Sequence, residues 1–91
     1  MDIQRARERI DRIDDAIIGL LSERMSLMPG LADYKRKNSI PIENKRREKE
    51  VLKRLRKKAG KLSKGFAERI FSMVMEEAKR VQRSHLRKRK A

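Results

Sequence analysis

The chain contains no cysteine, so disulfides and thiolate metal sites are excluded, and its single histidine, His85, cannot build a zinc site alone. No metal is expected. Aromatic residues number only three (Tyr34, Phe66 and Phe71), and apolar residues make up 37% of the chain against 44% charged. That balance argues against a large monomeric core and favours long amphipathic helices. No stretch approaches 18 uncharged apolar residues, and residues 1–8 lack the apolar h-region of a signal peptide, which leads us to expect a cytoplasmic protein without a membrane span. At 91 residues the chain is one domain, small enough that its core is only marginally stabilising. A partner subunit would help.

Charge is abundant. The net charge of +14 is spread unevenly: residues 1–34 carry 5 basic and 7 acidic groups, 35–58 carry 12 and 3, 59–78 carry 3 and 3, and 79–91 carry 7 and none. Such an excess suits either an anionic polymer or a surface that draws in a small dianion.

Ile3, Ala6, Ile10, Ile13, Ile17, Leu20, Leu27, Leu31 and Tyr34 follow one another at spacings of three and four, apart from one gap filled by Arg24. This predicts a helix over residues 2–37 with a heptad-like seam. Such a helix would be about 54 Å long, whereas a compact chain of this size has a radius of gyration of about 12 Å, so it calls for a second chain. Pro29-Gly30 predicts a kink in it, not an end. The turn formers and proline of residues 38–43 separate it from a second helix, capped by Asn44, running to about residue 59 and stopped by Gly60. Ser63 can cap a third, with Ala67, Ile70, Phe71, Val74, Met75, Ala78 and Val81 on its apolar face and a possible Leu62–Ala67 staple. The expected architecture is all-α: long helix, short helix, medium helix. Residues 1–82 form the domain, and the basic segment 83–91 has little to bury and is expected to fray.

The informative polar residues are those that interrupt apolar seams, because a buried charge without a partner costs several kcal/mol. Arg24 stands where the first seam calls for an aliphatic side chain; an ion pair across a dimer would also explain it. Lys35, eleven residues on, differs from it by only about 20° around an ideal helix and by about 16 Å along it, so both could reach one small anion. From periodicity alone, Lys35 reads better as the first residue of the basic run 35–37. Arg47 and Glu48 continue the inward face of the second helix past Val51 and Leu52, although a surface ion pair would look the same. Gln82 borders the apolar face of the third. Together they describe a pocket of Arg, Lys, Arg, Glu and Gln among aliphatic residues, suited to a ligand with two carboxylates, an ether oxygen and a hydroxyl.

The order of these residues resembles the all-helical chorismate mutases over nearly the whole chain. Arg7-Glu8-Arg9-Ile10-Asp11-Arg12-Ile13-Asp14 resembles the family's opening helix, and Leu20-Leu21-Ser22-Glu23-Arg24 its leucine-leucine-x-glutamate-arginine signature. Lys35 follows at the family's spacing, Ile40-Pro41-Ile42 and Arg47-Glu48 resemble the opening of the second helix, and residues 71–82 resemble the last. The resemblance implies an intertwined homodimeric helical bundle that rearranges chorismate to prephenate without a cofactor. It implies that Arg24 and Lys35 bind the substrate's carboxylates, that Lys35 and Gln82 reach its ether oxygen, and that Glu48, with Arg47 beside it, addresses the ring hydroxyl. Arg7 corresponds to the arginine supplied by the neighbouring protomer. About 25 Å of helix separates Arg7 from Arg24, too far for both to grip one small molecule within a chain.

Two substrate-binding positions depart from the family pattern: Asn44 stands where many members have aspartate, and Ala78 where some have a small hydroxyl residue. The helix interrupted by Pro29-Gly30 is usually proline-free. The alternatives are an isochorismate pyruvate-lyase or aminodeoxychorismate mutase on the same fold, or a basic helical nucleic-acid-binding protein. Few aromatic platforms and no recognisable reading helix argue against nucleic acid.

Overall fold

Asp2 opens the first helix by accepting hydrogen bonds from the backbone N–H groups of Gln4 (2.9 Å) and Arg5 (3.4 Å). The structure, a computed structural model, describes residues 2–90 and their side chains except those of Lys64 and Lys90. Helix α1 spans Ile3–Ser26 and α2 spans Met28–Lys37. Leu27, between them, keeps right-handed helical dihedrals, and its N–H donates to the Arg24 carbonyl at 3.3 Å. Pro29 explains the break: it has no N–H to return to the carbonyl four residues back, and its ring crowds that group. The chain restarts so that Pro29 falls in the first turn of α2, where a missing N–H costs nothing. The anticipated kink is thus a one-residue interruption at Leu27, two residues upstream of the proline.

Helix α2 ends in a left-handed turn. Ser39 has φ 54°, its N–H donates to the Arg36 carbonyl (3.2 Å), and the Ile40 N–H donates to the Lys35 carbonyl (2.7 Å). This is the Schellman pattern with serine in the place usually held by glycine. Helix α3, Lys45–Lys58, begins at Asn44, whose side chain accepts from the Arg47 N–H at 3.0 Å. Ala59 and then Gly60, at φ 60°, close it as the sequence indicates. Ser63 Oγ accepts the Phe66 N–H at 3.3 Å, and α4 runs over Lys64–Lys90.

Here the structure differs from the expectation of a medium helix with a frayed tail. Helix α4 carries on through residues 83–90, because Asp33 of α2 receives His85 Nε2 at 3.0 Å and Arg89 Nη1 at 3.2 Å. The last residue of that tail, Ala91, lies outside the described residues.

Among the described residues the fold is all helical, and no helix is long and apolar enough to cross a membrane. Helix α4 is the centre of the packing: α2 and α3 lie along it, and α1 meets it where Leu21 and Met25 face Met73 and Val74. The core consists of Met28 and Ala32 from α2, Val51 from α3, and Ala67, Val74, Met75 and Ala78 from α4. Its side chains are mostly small or flexible. No residue of α1 is buried, so the isoleucine seam read from the sequence lies open, with Ile10 53% and Leu20 66% exposed.

Candidate active site

Where α2, α3 and α4 converge beside the end of α1, they enclose a cleft of about 230 Å³. Of the eight residues singled out from the sequence, seven line it: Arg24, Lys35, Asn44, Arg47, Glu48, Ala78 and Gln82. They come from all four helices. Met28, Leu31, Ile42, Val51 and Met75 supply the apolar wall. Arg7 is exposed and absent from this lining; a single chain does not bring it to the cleft.

Lys35 is the best-defined group. Its Nζ donates to the Ile42 carbonyl and to Gln82 Oε1, both at 3.0 Å, which leaves one of three ammonium donors uncommitted. Burial pulls its pKa below the ordinary lysine value, and the Glu48 carboxylate partly opposes that. Gln82, 3% exposed, has its carbonyl oxygen taken by Lys35 and its Nε2 turned to Met28 Sδ at 3.5 Å. A thioether is a weak acceptor, so this amide N–H is easily claimed by a better one.

Arg24 lies at the cleft wall with Nη1 buried and without a hydrogen-bond partner. A guanidinium N–H without an acceptor in a closed environment carries a desolvation cost that an anionic ligand would remove. Arg47 is more open and approaches Glu50 at 3.8 Å, a surface pair of little energetic weight. Asn44 spends its side-chain oxygen on capping α3, so what it can still offer the cleft is an amide donor. Ala78 contributes only a methyl group.

The sequence reading missed Lys79. It lines the cleft, is 6% exposed, and its Nζ meets Glu76 at 2.8 Å, Glu43 at 3.0 Å and Glu48 at 3.3 Å. These carboxylates raise its pKa, the hydrogen bonds it donates to Glu76 and Glu43 outweighing the opposing effect of burial. The signal was available. Lys79 follows Met75 by four and precedes Gln82 by three, so it interrupts the inward face of α4 much as Arg24 interrupts the first seam.

Some of the basic side chains outside the cleft are paired within the chain. Arg56 pairs with Glu68, Arg80 with Glu77 at 2.7 Å, and Arg89 with Asp33 at 3.2 Å. What the cleft presents is therefore a cationic, largely apolar recess with directed donors from Arg24, Lys35 and Gln82 and one fixed carboxylate, Glu48.

Comparison with known proteins agrees with this geometry. The chain is 35% identical over 82 residues to a chorismate mutase from Methanocaldococcus jannaschii, an alignment covering 88% of this chain and 83% of that protein. It is 34% identical over 89 residues to a bifunctional chorismate mutase/prephenate dehydratase from Buchnera aphidicola, covering 96% of this chain but 23% of that longer protein. Among solved structures, a conserved hypothetical protein from Pyrococcus furiosus superposes with a TM-score of 0.72 at 34% identity, over 88% of this chain and 93% of that one. Residues 6–83 match the family described as chorismate mutase type II. With that match spanning most of the chain and every helix of the cleft, the protein belongs to the type II chorismate mutase family.

Proposed function

We propose that the chain converts chorismate to prephenate by an intramolecular Claisen rearrangement. The observation that carries this reading is the pairing, in one recess, of the unpartnered Arg24 Nη1 with the Lys35–Gln82 couple. One carbon–oxygen bond breaks while a carbon–carbon bond forms within the same molecule, so the site needs shape and charge, not a nucleophile. Arg24 takes a carboxylate through its planar fork, Lys35 holds the other, and the substrate is thereby confined to the folded conformer in which its reacting ends meet. The one uncommitted donor of Lys35, shared between that carboxylate and the neighbouring ether oxygen, and the Nε2 of Gln82 then address the ether oxygen. Negative charge grows on that oxygen only as the bond breaks, so these donors stabilise the transition state more than the bound substrate. Glu48, flanked by Arg47, accepts the ring hydroxyl.

The functional unit we infer is a homodimer in which Arg7 of the partner subunit completes each cleft. The open seam of Ile3, Ile10, Ile13 and Ile17 on α1 supports it, since an isolated chain would leave that stripe in water.

Purified protein mixed with chorismate should convert it saturably to prephenate. Arg24→Ala should lower kcat/KM by about 100-fold or more, the loss seen when one preorganised donor is removed from a charge-stabilising site. Unchanged turnover in that variant would overturn the assignment. Conversion of isochorismate or aminodeoxychorismate in place of chorismate would redirect it to those reactions on the same fold.

A further inference from the structure

Lys79 lines the cleft, yet it has no donor left for a ligand. An ammonium group carries three N–H bonds, and three carboxylates surround this one: Glu76 at 2.8 Å, Glu43 at 3.0 Å, and Glu48 with its two oxygens at 3.3 and 3.5 Å. Glu76 lies one turn back on the same helix, but Glu43 and Glu48 come from across the cleft. Glu43 sits just before the cap of α3, and Glu48 lies in that helix's first turn. From the opposite side Lys35 grips the same connection through the Ile42 carbonyl. The start of α3 is thus fastened by one lysine to α2 and by the other to α4.

We infer that Lys79 is a positioning residue: it fixes the Glu48 carboxylate in the cleft, and through Glu48 it sets how tightly the site recognises a hydroxyl on the ligand's ring. This rests on the chorismate mutase reading above. Without the ammonium, Glu43, Glu48 and Glu76 would crowd one another as like charges, and Glu48 would lose the cation that holds both of its oxygens in place at the cleft. Both Glu48 oxygens face Lys79, and a carboxylate has about four acceptor sites, so enough remain for a hydroxyl donor.

The test compares the wild type with Lys79→Met, similar in length and uncharged, on chorismate and on the analogue lacking the ring hydroxyl. Because a ground-state hydrogen bond is what loosens, KM for chorismate should rise about tenfold with kcat changed by less than about threefold. On the hydroxyl-free analogue the variant should match the wild type. Equal losses on both substrates, or no loss on either, would overturn the positioning role while leaving the enzymatic assignment intact; a wild type that converts neither substrate would instead remove the reading on which it rests. Should Lys79→Met lose its helical circular dichroism, Lys79→Gln carries the same comparison.

Discussion

At the scale of single residues, the ionisation of Lys35 governs what the site can do. Burial lowers its pKa from the ordinary 10.5, so with rising pH it gives up its proton earlier than an exposed lysine would. The neutral amine cannot stabilise a developing oxyanion. We expect kcat/KM, which reports the ligand-free site, to fall on the alkaline side at a pH below the ordinary lysine value, and Lys35→Arg, if it turns over, to push that limb upward; a flat alkaline profile would contradict the role given to Lys35. Lys79 does not confuse the measurement, because its carboxylate neighbours shift it the other way and keep it charged through the same range. On the acid side the sign reverses. Lys79 holds the Glu43 carboxyl below its ordinary range, so the stabilisation from this pair is present above the ordinary carboxylate value and is lost as pH falls through the lowered one. Arg24 and Gln82 were legible in the sequence because a polar group in or beside an apolar seam stands out. Lys79 interrupts the inward face of α4 in the same way but stands among many basic residues, and two of its three carboxylate partners lie 31 and 36 positions away, where no local pattern reaches.

Among the elements, the boundaries that the sequence marked are those with a local chemical cause. Asn44, Gly60 and Ser63 each act within three residues of themselves, and all three perform the capping or terminating task assigned to them. The end of α2 is different, since Ser39 in the left-handed region is not a residue that announces such a turn. A non-glycine side chain there crowds the following carbonyl, so Ser39→Gly should relieve more than it adds in unfolded-state entropy, a net gain of about 0.5–1 kcal/mol. Thermal denaturation should show a rise of a few degrees, and a fall would mean that the turn is not left-handed in solution. The extension of α4 through residues 83–90 was illegible for the reason that hid Lys79: its hold is Asp33, 52 and 56 positions away.

For the whole molecule, shape is the leading observation. The radius of gyration is 16.6 Å and the extents are 54 × 28 × 14 Å, against about 12 Å expected for a compact chain of 91 residues. An elongated chain with an open isoleucine stripe fits the homodimer proposed above. If the partner's Arg7 completes each cleft, Arg7→Ala and Arg24→Ala homodimers should both be inactive, yet a mixture refolded together should recover about a quarter of wild-type activity, since half the dimers are mixed and each holds one intact site. No recovery on mixing would argue that each chain works alone. The cleft also has a consequence for persistence in the cell. Every helix contributes at least one polar group to the cleft, among them Arg24 from α1, Lys35 from α2, Glu48 from α3 and Gln82 from α4, over a core of small and flexible side chains. A dicarboxylate seated there ties together elements that otherwise part easily, and at 100 times its Kd it adds about 2.7 kcal/mol to the folded state. Substrate supply would then set not only how fast the protein turns over its ligand but how long it escapes proteolysis.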